Sequence, residues 1–98
     1  MHLIQWDFLP AEDHLAEFLA AYGSEGDWVR LFRLGEGYLG TELLPMPGLP
    51  GWYRCLDRWR REEDYAAFRR VHAAEYKALD RQCERLTRAE VPASSEQQ

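Results

Sequence analysis

The chain has 98 residues, of which 46% are hydrophobic and 13% aromatic, with a formal net charge of −5. A length like this makes one small domain, which buries a modest share of its surface and often gains stability from a second copy. The charge is uneven, with eight acids against two arginines up to Leu49 and nine acids against ten bases from Pro50 onward, and that lacks the basic field of a nucleic-acid binder.

His2 to Leu9 alternates as a strand does, with Ile4, Trp6 and Phe8 on one face and Leu3, Gln5, Asp7 and Leu9 on the other. Pro10 cannot donate to a ladder and is expected to end it. A helix is predicted from about Glu12 to Tyr22. Leu15, Phe18, Leu19 and Tyr22 form its apolar stripe, acids sit at its positive N-terminal end, and Gly23 stops it. Asp27 reads as the N-cap of a short helical piece carrying Trp28, Leu31 and Phe32, which Gly35 and Gly37 break. Gly37 to Leu44 is the second predicted strand. The prolines and glycines from Pro45 to Gly51 suit neither ladder nor helix.

Tyr53, Cys55, Asp57 and Trp59 then alternate with Arg54, Leu56 and Arg58, which is a third strand. The period changes after Trp59. Tyr65, Phe68, His72, Tyr76, Leu79, Cys83 and Leu86 follow at steps of three and four, one stripe of a helix from Glu62 to Leu86. Such a helix would run about 37 Å at 1.5 Å per residue, so the other elements must pack along it. Thr87 to Val91 reads as a weak edge strand stopped by Pro92, and Ala93 to Gln98 as a polar tail. The expected organisation is one domain over residues 1–92 and a C-terminal tail over 93–98.

Strand, helix, strand, strand, helix, strand is the βαββαβ order of a ferredoxin-like α+β sandwich, an antiparallel sheet with both helices on one face. The first two strands carry large apolar residues on both faces, and two helices cover only one. A twofold partner sheet is the simplest cover for the other, so a homodimer through the sheet face is expected.

Cys55 and Cys83 fall on apolar stripes and show no metal-ligand spacing, so buried free thiols are expected, with a disulfide joining strand to helix as the lesser alternative. Arg54, Arg58, Arg60 and Arg61 cluster; a solvated strand edge and helix start is favoured over an anion site. No apolar run approaches a membrane span, and Met1 leads into an amphipathic strand rather than a secretory leader. The expected setting is cytoplasmic, with neither a membrane nor a nucleic-acid partner.

Trp6-Asp7-Phe8, Glu17-Phe18, Tyr22-Gly23, Asp27-Trp28, Leu31-Phe32, Gly37-Tyr38-Leu39-Gly40-Thr41, Asp57-Arg58-Trp59, Tyr65, Phe68 and Glu75-Tyr76 together resemble the antibiotic biosynthesis monooxygenase family. The resemblance spans about Leu3 to Glu90 and implies a dimeric α+β barrel. Relatives include cofactor-free oxygenases of polycyclic aromatic substrates, haem-degrading enzymes and isomerases. The resemblance places a small-molecule cavity between sheet and helices. Arg60 and Arg61 stand where relatives usually carry a serine-type helix cap, and Pro92-Ala93-Ser94-Ser95 replaces a further apolar segment.

Three residues are candidates for chemistry: Asp57, His72 and Tyr76. Asp57 shares a strand face with Tyr53, Cys55 and Trp59, where a carboxylate is costly unless paired. It is a base or acceptor in the cavity, or a structural carboxylate paired with an arginine. His72 lies on the helix stripe one turn from Phe68 and from Tyr76, placed for proton transfer or as a satisfied core histidine. Trp6, Tyr38, Trp59, Tyr65 and Phe68 are candidate ligand-binding residues, though most of them must also build core. The chain shows no phosphate loop, nucleophile elbow or dinucleotide fingerprint. No cofactor or metal is expected. The resemblance to haem-degrading relatives implies a tryptophan and an axial histidine on the second helix. Here Phe68 stands near the tryptophan's place and no histidine follows His72, so tight haem binding is not expected either. The resemblance implies a cofactor-independent oxygenase, or a related small-molecule enzyme, acting on an aromatic or polyketide-like compound. The alternative is a non-enzymatic homodimeric ligand-binding or interaction module of the same fold.

Overall fold

The computed structural model describes residues 1–92. In chain order its elements are β1 (His2–Pro10), a 3-10 turn (Glu12–His14), α1 (Leu15–Tyr22), α2 (Asp27–Phe32), β2 (Tyr38–Pro45), β3 (Tyr53–Trp59), α3 (Glu62–Val71), α4 (Ala73–Cys83), a second 3-10 turn (Glu84–Leu86) and β4 (Thr87–Pro92). The expected tail from Ala93 to Gln98 lies outside the described residues.

The strands form one antiparallel sheet in the order β2-β3-β1-β4. With helices packed on one face, this is the ferredoxin-like α+β arrangement that the element order implied. The inward face carries Ile4, Trp6 and Phe8 from β1 and Cys55, Asp57 and Trp59 from β3. Phe18, Tyr22, Trp28, Phe32 and Phe68 of the helices close over it in one aromatic core. Phe8 lies 4.6 Å from Tyr22 between ring centroids, and Trp59 lies 5.2 Å from Phe68. Aromatic pairs at these spacings add to the area they bury.

Three local predictions are corrected. The predicted stripe of the first helix includes Leu15 and Leu19, but these are 41% and 39% exposed, and the buried residues are Phe18, Ala21 and Tyr22. The helix starts later than expected, through a 3-10 turn at Glu12–His14, and it packs on the face centred on Phe18 and Tyr22, which leaves Leu15 and Leu19 at the rim of that face. Asp27 is the first residue of α2 rather than its N-cap; Gly26 takes that place, and a Cβ there would meet the Ala20 and Ala21 carbonyl oxygens at 2.4 and 2.5 Å. The single helix expected from Glu62 to Leu86 is broken at His72. Hydrogen bonds from His72 N–H to the Phe68 carbonyl and from Tyr76 N–H to the His72 carbonyl, both 2.9 Å, continue along the buried stripe. The break therefore leaves the buried side of the helix hydrogen-bonded across His72.

The start of α3 shows what the two arginines do in place of a cap. No side chain caps the helix at Arg61. Instead Arg60 and Arg61 both hold Asp64, at 3.1 and 2.9 Å. Gly37 passes directly beneath: its φ is +88° and a Cβ there would lie 2.3 Å from the Asp64 carboxylate. Both conditions exclude a side chain.

The outward face of the sheet mixes ion pairs with apolar residues. Arg54 grips Asp7 through two hydrogen bonds of 2.9 and 3.1 Å, and Arg58 pairs with Glu42 at 2.7 Å. These pairs take up Arg54 and Arg58, and β3, expected to be a solvated strand edge there, is an interior strand paired on both sides. Between them stand Leu3, Leu9 and Leu56, half-buried, and Leu44 and Val91, which are exposed.

Candidate functional site

A cavity of about 280 Å³ opens between the inward face of the sheet and the helices. Trp6 and Asp57 line it from the sheet, Tyr22 and Trp28 from α1 and α2, and Tyr65 and Tyr76 from α3 and α4. Arg69, Asp80 and Glu90 bring charge to its wall. The volume approaches that of a small-molecule site, and aromatic rings alternate with polar and charged groups around it.

Asp57 is the buried polar group in this wall, 7% exposed. It is there because β3 is the second strand in from one edge of the sheet, paired on both sides. Thr41 faces it from β2 and Ile4 from β1. Its Oδ1 accepts a hydrogen bond of 2.7 Å from the Thr41 hydroxyl and a long one of 3.8 Å from the Cys55 thiol. Among the described residues no lysine, arginine or histidine forms an ion pair with it, and none donates to Oδ2. Burial dominates, pushing the carboxyl up to about 6 against the weaker pull of the Thr41 and Cys55 hydrogen bonds. Burial, then the neighbouring Asp57, also pushes the Cys55 thiol up, so it stays protonated. The arrangement puts a buried carboxyl without a cationic partner at the wall of a chamber lined mainly by aromatic rings.

The helix side of the cavity is aromatic, with Arg69 as its cation and Asp80 on the same side. The Arg69 guanidinium carbon lies 3.9 Å from the centroid of the Tyr76 ring, a cation–π contact, and Arg69 Nη1 donates to the Tyr65 hydroxyl at 2.9 Å. Burial holds the Tyr76 hydroxyl well above its ordinary range. Burial also raises the Glu90 carboxyl, helped by Asp80 and Glu84 nearby.

Of the predicted residues, Asp57, Tyr76, Trp6 and Tyr65 meet at this cavity. Trp59 and Phe68, at 0% and 2% exposure, are core beside it. Tyr38 packs its ring on Phe32 and Trp59 and faces a second concavity. His72 is not among the lining residues; its ring packs 5.4 Å from Phe68 and faces Glu75 at 3.4 Å. Thr41, Arg69, Asp80 and Glu90 were not foreseen. Arg69 and Asp80 fall among the charged positions beside the helix stripe, where solvated side chains are the rule.

Cys55 and Cys83 are buried and free. Among the described residues no helix is long and apolar enough to cross a membrane. No three His, Cys, Asp or Glu side chains gather as a metal site among them.

No protein-family model matches the chain, and no curated protein matches it. Solved structures do. PA3566 from Pseudomonas aeruginosa superposes with a TM-score of 0.61 at 14% identity, over 93% of this chain and 87% of that one. A Nitrosomonas europaea protein provisionally named as an antibiotic biosynthesis monooxygenase superposes with a TM-score of 0.65 at 12% identity, over 95% and 94%. At these identities the likeness is one of fold. The chain has the α+β fold of an antibiotic biosynthesis monooxygenase-like protein, as the sequence motifs implied.

Proposed function

We propose that the cavity binds a small aromatic or polyketide-like molecule, and that the chain is a cofactor-independent oxygenase or a related small-molecule enzyme. The observation that carries this reading is the Asp57 carboxyl, buried without a cation in an aromatic chamber. A bound phenol or enol would give its O–H proton to Asp57 Oδ2 when that carboxyl is ionised. The ring so deprotonated is electron-rich, and that is the condition for reaction with dioxygen without a bound cofactor. The fold shared with the Nitrosomonas europaea protein and its provisional name support the same class. The rival reading is a non-enzymatic ligand-binding or interaction module, favoured by the exposed Leu44 and Val91 on the outer face.

A titration with 2-naphthol, a phenol sized for the cavity, tests the binding. Trp6 and Trp28 line the chamber, so saturable quenching of tryptophan fluorescence is expected, with a rise in melting temperature on binding. Oxygen consumption with electron-rich phenols then separates enzyme from module. Binding without oxygen uptake selects the module, and no binding removes the ligand site altogether.

The reading includes a homodimer through the outer sheet face, whose apolar residues a partner sheet would cover. Sedimentation equilibrium at micromolar concentration is expected to give twice the 11.5 kDa chain mass. An Arg placed at Leu44 should shift the mass toward the monomer. A wild-type monomer under these conditions removes the dimer from the proposal.

A further inference from the structure

The Asp57 carboxyl is joined to a second concavity by a line of two hydroxyls. Thr41 lines the cavity described above and also a separate hollow of about 360 Å³, bordered by Ser24, Glu25, Arg33 and Tyr38. The Thr41 hydroxyl donates to Asp57 Oδ1 at 2.7 Å. A hydroxyl has one hydrogen, so the 2.5 Å contact between Tyr38 and Thr41 has Tyr38 as donor. The order Tyr38 to Thr41 to Asp57 is thereby fixed while the carboxylate is ionised. Tyr38 is half-buried and borders the hollow, so the far end of the line is within reach of solvent.

We propose that Tyr38 and Thr41 form a proton relay that exchanges the Asp57 proton with solvent on the hollow's side while a ligand fills the cavity. The proposal rests on the reading of Asp57 as the proton-exchanging group. A ligand seated against Oδ2 closes the carboxyl off from solvent through the cavity mouth, and the other oxygen is the one the hydroxyls hold. For inward transfer, Tyr38 takes a proton from water at its oxygen and passes its own hydrogen to Thr41. Thr41 passes its hydrogen to Asp57 Oδ1. One proton leaves the solvent, one arrives at the carboxyl, and each hydroxyl keeps one hydrogen. Once Asp57 is protonated at Oδ1 it becomes the donor, the line reverses, and the same path runs outward; a proton that a ligand leaves on Oδ2 enters this path after the carboxyl turns over and brings the protonated oxygen against Thr41. Burial holds the Tyr38 hydroxyl above its ordinary range, so it stays protonated between events.

Other titratable groups face the same space. Cys55 lies beside Asp57 on β3, and Tyr22, Tyr65, Arg69, Tyr76, Asp80 and Glu90 look into the cavity from α1, α3, α4 and β4. Arg33 and Glu25 pair with each other across the hollow at 3.2 Å. None of these bridges Tyr38 and Asp57 as Thr41 does, and that makes Thr41 the position to test.

The test follows two carbons through pH, the Asp57 Cγ and the Tyr38 Cζ, in carbon-labelled protein. The Tyr38 signal is expected to inflect where Asp57 titrates. Thr41→Val should abolish that inflection while Asp57 itself still titrates, and Thr41→Ser should keep it. A Tyr38 signal flat through the Asp57 titration overturns the relay. So does an inflection that survives in Thr41→Val, because it then arises through space. With 2-naphthol bound, wild-type Asp57 is expected to give one averaged line near its midpoint, and Tyr38→Phe two slowly exchanging lines. Identical line shapes in the two proteins overturn the relay. Failure of naphthol to bind is a failure of the binding reading, and the coupled titration then decides the relay alone.

Discussion

Replacing Trp59 with alanine is expected to lower stability by about 3–5 kcal/mol, the range for truncating a large aromatic in a packed core. Trp59 has 0% exposure. Its ring lies 5.9 Å from Phe32, 5.2 Å from Tyr38, 5.4 Å from Tyr65 and 5.2 Å from Phe68 between centroids. It therefore joins α2, β2 and α3 to the end of a strand that is itself paired on both sides, with His2 and Tyr38 as its register partners. A domain has only about 5–15 kcal/mol in total, so the variant should be largely unfolded in mild denaturant. Urea melts followed by circular dichroism will show a lower midpoint with an unchanged slope. Trp59→Phe is expected to fall well short of that loss. The Trp59 indole N–H is enclosed without an acceptor among the described residues, and removing an unsatisfied donor relieves part of the packing loss. Equal losses for the two variants would mean that ring area is not what Trp59 supplies.

The boundaries of β3 and the face carrying Asp57 were legible in the sequence because alternation over Tyr53–Trp59 is unbroken, follows the proline- and glycine-rich loop and ends where the period changes to that of a helix. The fold followed from element order, since βαββαβ leaves few right-handed, antiparallel solutions. What stood opposite Asp57 was not legible. Alternation from Tyr38 would put Gly40 and Glu42 on the inward face, and Thr41 outward. The register shifts between Tyr38 and Gly40, and one extra residue turns Thr41 and Leu43 inward. A bulge costs a strand one step of its period and leaves no trace in composition, so the hydroxyl that holds Asp57 was hidden. The break at His72 was hidden for a similar reason. The apolar stripe runs on through it, because the hydrogen bonds on the buried side are kept across the break. The pocket charges were hidden because Arg69 occupies a position that a helical wheel reads as solvent, while its guanidinium folds back over Tyr76. Long cationic side chains do this by laying their stems along apolar surface.

Asp57→Asn is expected to stabilise the folded chain at neutral pH while removing its chemistry. The carboxyl stands at about 6 in the folded protein, against an ordinary value of 3.8, because burial opposes its charge. Between these two values the folded chain holds a proton that the unfolded chain has released. Unfolding free energy therefore falls as pH rises from about 4 to about 6, and stays low above that. A shift of roughly two units corresponds to about 3 kcal/mol at pH 7. An asparagine carries no charge to bury, so its stability should be flat across the same window. The two proteins should be nearly equal near pH 4, with the variant ahead by up to about that amount at pH 7. Its amide oxygen can still accept the Thr41 hydrogen, and the residue lines the cavity. Any turnover of a phenol that depends on proton transfer to Asp57 should fall by about 10²–10⁴, while 2-naphthol binding survives because the aromatic walls are untouched. Urea midpoints at pH 4, 5, 6 and 7 for both proteins decide the matter. A variant less stable than wild type at pH 7 would place a cation against Asp57. The carboxylate would then be part of a buried ion pair, where loss of one charge strands the other, and its role would be scaffold rather than proton transfer.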